Sequence, residues 1–267
     1  SDIISFLRRN KSPNYNFVYD QVVSCGELIS TKIISEYLNQ TGISNTWLDI
    51  RDYIKCDSTY REGKIDWKHT QEQFETFDSS RLYVTQGFIA ADPNYFTVTL
   101  GREGSDYSAA IVAYCLNADS MTIWKDVPGV MNADPRYFKE AQLLNSISYE
   151  EAIELAFYGA SVIHPKTMQP LLRKEIPFFV RSFIEPENPG TSVKKGVTID
   201  PKIPCFILKE NEHLLNISSK DFSFMQEENI SYIFNNLSAQ NIKVNMISVS
   251  AISISLCVED KFNAIDT

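Results

Sequence analysis

Residues 96–110 read FTVTLGREGSDYSAA, and this stretch decides the fold. Phe96 to Leu100 is apolar and β-branched, the composition of a short strand. Gly101 and Gly104 interrupt it. Ser105 or Asp106 then opens an alanine-rich run, DYSAAIVAYCLNA, which reads as a helix. Strand, glycine turn and helix in that order bring helix N–H groups and their partial positive charge to the loop, which suits a phosphate. Arg102 adds a planar cation able to grip an anion with two N–H groups. The same residues also fit a plain strand-to-helix turn capped by Asp106. One glycine turn alone does not choose between the two.

Downstream, SMTIWKDVPGV (120–130) is a strand stopped by Pro128 and Gly129. It leaves Asp126 at the carboxyl end of the strand, where open α/β sheets bind ligands; Asp before Pro-Gly is equally turn chemistry. In NADPR (132–136), Asp134 reads as a cap and Pro135 as a first helical residue. Arg136 then either reaches a phosphate or lies in solvent. SYEEAIELAFYGA (148–160) opens on a capping box, Ser148 with Glu151. HPKTMQPLLRK (164–174) is a shorter helix entered at His164, and PFFVRSF (177–183) a strand.

Upstream, RLYVTQGFIAA (81–91) reads as one strand containing a glycine, and NTWLDI (45–50) as a short one. Residues 57–68 are polar and loop-like, with a short helix expected near 69–78. SCGELISTKIISEYLNQTG (24–42) predicts a helix from Ser24 to Gly42 with Leu28, Ile29, Ile33, Ile34, Tyr37 and Leu38 on one buried face. Ser24 and Glu27 have capping-box spacing, so the Glu27 carboxylate serves either the backbone or a ligand. Residues up to Asp20 show no clear period. Apolar strands alternating with helices imply an α/β fold with a buried, mainly parallel sheet.

Pro186, Pro189 and Gly190 break the pattern, which places a linker near 185–200. Beyond it, CFILKENEHLLNISS (205–219), FMQEENISYIFNNLSAQN (224–241) and KVNMISVSAISISLCVE (243–259) read β-α-β-β, the first part of a ferredoxin-like unit.

The 267 residues are 43% hydrophobic and 22% charged, a globular balance. With 25 Lys and Arg against 34 Asp and Glu, the net charge is −9, which disfavours nucleic acid as a partner. No apolar run has bilayer length, so no membrane partner is expected, and SDIISFLRRNKS lacks the layout of a signal peptide. The five scattered cysteines form no CxxC pair, and the three histidines are scattered too. Neither disulfides nor a metal site is expected, and a cytoplasmic location fits.

The order of segments is more specific than any one of them. SCGELIS (24–30), VTQGFIA (84–90), TLGREGSDYSAA (99–110), IWKDVPGVMNADPR (123–136), ISYEEAIELAFYGASVIHPKT (147–167), PFFVRSF (177–183) and PGTSV (189–193) together resemble the aspartokinases of the amino acid kinase superfamily. The part after the linker resembles the first ACT domain of those enzymes. The resemblance implies a three-layer α/β/α sandwich with a mainly parallel sheet at 1–190 and a partial ACT regulatory domain at 200–267.

It also implies phosphorylation of the 4-carboxylate of L-aspartate by MgATP, the first step toward lysine, threonine and methionine. Glu27 would meet the substrate ammonium, Arg102 a substrate carboxylate, and Ser105 would line the same site. Asp106 would lie near the transferred phosphoryl group. Gly101, Gly104, Lys125, Asp126 and Arg136 would hold ATP, with Mg2+ arriving on the nucleotide. A feedback amino acid, lysine or threonine, would meet Met225, Asn229, Asn245, Ser248 and Ser250. ACT pairing would make a homodimer.

Four positions depart from the family pattern. Glu103 stands for a glycine, Lys125 for a threonine, Met131 for an aromatic residue, and Ser161 for a lysine, with Lys166 five positions on either taking its place or not. No Lys-Phe-Gly-Gly strand precedes Ser24, and half of the usual ACT pair follows the linker. The sequence therefore reads as a fragment with little kinase activity by itself. A non-catalytic amino-acid-binding subunit, or a kinase for another amino acid, are the competing readings.

Overall fold

The computed structural model describes residues 2–159, 162–221 and 223–259. The chain divides into two compact units, residues 1–206 and 207–267.

In the first unit, α1 (Asp2–Arg9) is followed by the long α2 (Tyr15–Gln40). The expected start at Ser24 is nine residues late. Asn14 is the cap, its side chain accepting from the N–H groups of Asn16 and Phe17. Ser24 lies inside the helix, where its hydroxyl donates to the Gln21 carbonyl, so the Ser24–Glu27 capping box does not form.

The helix is also turned inside out relative to its sequence. Ile29, Ile33, Ile34 and Tyr37 are exposed, while Asp20, Ser24 and Ser35 are buried. The reason is what α2 packs on. β3 (Ile89–Ala91) and β4 (Thr97–Thr99) form an antiparallel pair, which leaves the outer edge of β4 to α2. Gln21 donates through Nε2 to the Thr97 carbonyl at 2.7 Å and accepts from the Thr97 N–H at 3.3 Å. Asp20 accepts from the Thr99 N–H and hydroxyl, each at 2.9 Å. The Gly63 N–H donates to the Thr99 carbonyl. A strand edge needs polar partners, so the polar face of the helix goes in.

Residues 81–91 form two strands rather than one. β2 (Tyr83–Thr85) pairs in parallel with β1 (Thr46–Leu48), whereas β3 turns away to β4. The break falls at Gln86 and Gly87. Gln86 is buried, accepting from the Ile50 N–H and donating to Leu48 and Thr31. α3 (Trp67–Phe74) starts two residues earlier than expected, capped by Asp66.

α4 (Gly104–Leu116) follows the 96–110 stretch and is walled on both sides. Tyr107 and Ile111 pack with Ile50, Ile54, Ile89, Val98 and Leu100. Ala110 and Ala113 pack with Ile123, Leu144, Tyr149, Phe178 and Val180. A helix apolar all round is one that joins two cores.

The second core covers a sheet of order β5-β7-β8-β6. β5 (Met121–Lys125) runs parallel to β7 (Phe178–Ser182), β6 (Ser146–Ser148) parallel to β8 (Thr191–Lys194), and β7 antiparallel to β8. β8 lies inside the expected linker. Pro186 to Gly190 makes the turn and Thr191 re-enters the sheet, so the first unit extends to residue 206. α5 (Tyr149–Tyr158) has the Ser148–Glu151 capping box, and α6 (Pro165–Arg173) is capped by His164 Nδ1. The α/β architecture is the expected one, with antiparallel pairs set among parallel ones.

The second unit is β9 (Glu212–Ser218), α7 (Glu227–Ala239), β10 (Lys243–Val249) and β11 (Ser253–Glu259), in an antiparallel sheet of order β10-β11-β9. Ile254, Leu256 and Val258 of β11 face α7 and form its core. No helix among the described residues is long and apolar enough to cross a membrane.

Candidate active site at the mouth of α4

The loop from β4 to α4 takes its shape from two glycines. Gly101 has φ +80°, and a Cβ there would stand 3.2 Å from the Arg61 carbonyl. Gly87 faces Ser105 so closely that a Cβ would come within 2.8 Å of the Ser105 Cα. The β2–β3 turn therefore lies against the first turn of α4. Ser108 extends this contact, accepting from the Phe88 N–H through its hydroxyl.

Beneath the loop is a cavity of about 620 Å3 lined by Gly101, Arg102, Arg61, Glu62, Thr99, Phe88 and Tyr19. Its wall is tied down by Asp20, whose carboxylate accepts from the Arg61 N–H at 2.8 Å as well as from Thr99. Lys166 supports the same loop from α6. Its Nζ donates to the Leu100 carbonyl at 3.1 Å and lies 4.7 Å from the Tyr107 ring centroid. Burial pushes its pKa down, opposed by the charge of Glu62.

On the other flank, β5 ends at Lys125. Its Nζ is 3.0 Å from Asp106 Oδ2 and 3.9 Å from Glu103 Oε2. Both carboxylate oxygens are buried and neither has a hydrogen-bond partner. Asp126 follows, exposed at the strand end. The carboxyl end of β5 and the amino end of α4 thus form one mouth, which brings Lys125 and Asp106 together with Asp126 next in the chain.

Glu27 lies on α2, one turn before Thr31, whose hydroxyl accepts from Gln86 beside Gly87. Burial raises its pKa, and no cation pairs with it among the described residues. Arg136 is in a turn rather than a helix, and its guanidinium forks onto Asp134, with 2.6 Å between Nη2 and Oδ2. Asp134 caps this turn as expected, its Oδ1 accepting from the Arg136 N–H and its carbonyl from the N–H groups of Tyr137 and Phe138, and the chain stops after that single turn without forming a helix. Met131 bridges to Leu143. Ser161 lies outside the described residues.

In the second unit Asn229 completes a capping box with Gln226, and Ser250 bonds to Ser253 in the β10–β11 turn. The Met225 N–H donates to the Ala251 carbonyl, and Ser248 is paired with Ser255 in the sheet. Asn245 lies at a bulge in β10 and donates at 2.8 Å to both oxygens of Glu212. Lys209 and Asn245 hold the Glu212 carboxyl below its ordinary range despite burial.

Asp20, Gln86, Lys166 and Glu212 are site-shaping residues that sequence reasoning missed or left undecided. Apart from Lys209 beside Glu212, the partners named for them lie 33 to 79 residues away, and no local spacing announces such contacts.

The profile of the Amino acid kinase family matches residues 3–182. The chain is 34% identical over 248 residues to the lysine-sensitive aspartokinase 3 of Escherichia coli (strain K12), covering 90% of this chain and 54% of the relative. It is 32% identical over 248 residues to a chloroplastic bifunctional aspartokinase/homoserine dehydrogenase 1 of Arabidopsis thaliana, covering 89% of this chain and 27% of the relative. The structure of E. coli aspartokinase III with aspartate and ADP superposes with a TM-score of 0.80 at 32% identity, over 97% of this chain and 59% of that one. The same enzyme with lysine and aspartate gives 0.78 at 32% identity, over 100% and 60%. The chain therefore spans about half the length of its E. coli relative. The profile match runs from α1 to the end of β7 and takes in every element that shapes the α4 mouth, and the chain belongs to the amino acid kinase family.

Proposed function

We propose that the protein is an aspartate kinase, transferring the γ-phosphoryl group of MgATP to the 4-carboxylate of L-aspartate. The observation that carries this reading is Glu27, a partly desolvated carboxylate with no cation partner among the described residues, one helical turn before Thr31, which bonds to Gln86 in the turn that abuts Ser105. Such a group suits an ammonium brought by the substrate. Arg102, in the cavity beneath the loop, suits a carboxylate of the same molecule. The likeness to an aspartokinase structure holding aspartate and ADP supports the assignment.

Phosphoryl transfer needs positioning and charge neutralisation more than covalent help. An oxygen of the aspartate 4-carboxylate attacks the γ-phosphorus, the bond to the β,γ-bridging oxygen breaks, and ADP leaves with its electron pair. The first N–H groups of α4 and the Lys125 ammonium face the developing charge, while Gly101 and Gly104 let the backbone come close. Asp126 and Arg136 complete the nucleotide side. A magnesium ion arriving on the nucleotide would meet Asp106, whose buried Oδ2 now pairs with Lys125, and would neutralise phosphate charge there.

The second unit supports regulation by a bound amino acid near Asn245 and Met225. Lysine is the ligand this reading favours, because the chain matches the E. coli enzyme's structure with lysine and aspartate over its whole length. Its outer strands β9 and β10 carry exposed Leu214 and Met246, surfaces suited to a homodimer. A cytoplasmic location fits this biosynthetic role.

Hydroxylamine trapping of the acyl phosphate formed by the full-length protein tests the proposal, with aspartate, glutamate and N-acetylglutamate each offered with MgATP. An aspartate-only signal is expected, and Arg102→Ala should raise the apparent KM for aspartate about tenfold or more. A signal with glutamate but none with aspartate would reject the assignment.

A further inference from the structure

We infer that Glu103 is a resident anion of the α4 mouth: together with Asp106 it occupies the Lys125 ammonium, and an incoming polyphosphate must take Lys125 from it. The inference rests on reading the mouth as the nucleotide site and adds how that site is guarded.

The backbone shows that Glu103 is not there for the turn. Its φ of +52° and ψ of +34° lie in the left-handed region, which a glycine would fill without strain. Nor does it serve the helix, since its side chain caps no N–H of α4. Its carboxylate instead turns toward Lys125, 3.9 Å away, which Asp106 holds at 3.0 Å. The three side chains are only 22%, 24% and 17% exposed for Lys125, Glu103 and Asp106, so solvent screens the cluster weakly.

Two carboxylates share one ammonium, which leaves the mouth with a net negative charge where the α4 N-terminus offers a positive one. A carboxylate there mimics the phosphate that the helix end would attract. An arriving polyphosphate meets repulsion from Glu103 until its own oxygens, or its bound magnesium, satisfy Lys125 and Asp106. That repulsion grows with ligand charge. Glu103 therefore selects the magnesium-complexed nucleotide over the free one.

Calorimetric titration of the chain with MgATP, and with ATP in EDTA, tests this in wild type, Glu103→Gln, Glu103→Gly and Lys125→Met. Both Glu103 variants should bind MgATP about fivefold tighter or more, and metal-free ATP should gain by a larger factor. Lys125→Met should weaken both about tenfold. Glu103→Gly suits the backbone at φ +52°, so it remains a test if the Gln variant folds poorly. Without ligand, thermal midpoints of Glu103→Gln, Lys125→Met and the double variant should be non-additive. Additive midpoints overturn the pairing. Wild type that binds MgATP, with Glu103 variants that bind it equally or less well, overturns the inference and leaves the nucleotide site standing. Failure of every protein to bind either form overturns both.

Discussion

Removing the Asp20 carboxylate should loosen the wall of the cavity beneath the β4–α4 loop, and the size of the effect can be worked from its bonds. Asp20 is fully buried, accepting from the Arg61 N–H at 2.8 Å, the Thr99 N–H at 2.9 Å and the Thr99 hydroxyl at 2.9 Å. In Asp20→Ala the hydroxyl can find another partner, but two backbone N–H groups are left without one. At about 1–3 kcal/mol for each unmet buried donor, the loss is about 2–6 kcal/mol. Asp20→Asn behaves differently. Its amide oxygen can take both N–H groups while its NH2 donates to the Thr99 hydroxyl, so only charge assistance goes, at about 1–2 kcal/mol. Urea unfolding followed by tryptophan fluorescence reads this directly, because Trp47, Trp67 and Trp124 all lie in the first unit. An Asp20→Ala midpoint corresponding to a loss under about 1 kcal/mol would refute the reasoning, as would an Asn variant less stable than Ala.

Three further outcomes are expected. Burial raises the Glu27 pKa, so only between the ordinary value of 4.5 and the raised one does the native state keep a proton that the unfolded chain releases; its favourable contribution is present below 4.5 and is lost as pH rises through the raised value. Glu27→Gln should therefore gain stability relative to wild type between pH 4 and 7 while its KM for aspartate rises, and parallel stability curves would contradict the burial argument. Gly87→Ala places a Cβ within 2.8 Å of the Ser105 Cα, so the first turn of α4 must shift and activity should fall at least tenfold with secondary structure retained, as kinetics and circular dichroism can show. Lys166→Met removes the bond to the Leu100 carbonyl and should lower stability by about 1–2 kcal/mol in denaturant titration; an unchanged midpoint would mean that α6 does not brace the loop.

What was legible in the sequence was local. The strand, turn and helix at 96–116 follow from composition and glycine placement, and the Ser148–Glu151 cap from a three-residue spacing. Both are settled within one turn of chain. α2 was misread because its apolar residues obey helical spacing while its inward face is chosen by the polar edge of β4, 76 to 79 residues away. The 81–91 strand was read as continuous because Gly87 looks like a simple interruption. Its packing on Ser105, which splits the strand between two sheets, is a tertiary fact. Pro186 to Gly190 has linker composition, yet Thr191 returns to the sheet because a buried hydroxyl bond to the Leu144 carbonyl awaits it. At the site, Glu103 and Lys125 were each noted as departures 22 positions apart, and only the fold shows that they meet.

The treatment of β4 has a consequence for how this chain avoids joining others. A strand with a bare edge is a template on which a second strand can add, and proteins protect such edges with care. Here the outward groups of Thr97 and Thr99 are taken by the amide of Gln21, the carboxylate of Asp20 and the N–H of Gly63. Side chains of a helix stand in for the missing third strand. A foreign strand could add to the edge of β4 only by displacing the first two turns of α2, so resistance to edge-on aggregation there should last as long as that part of the helix stays docked.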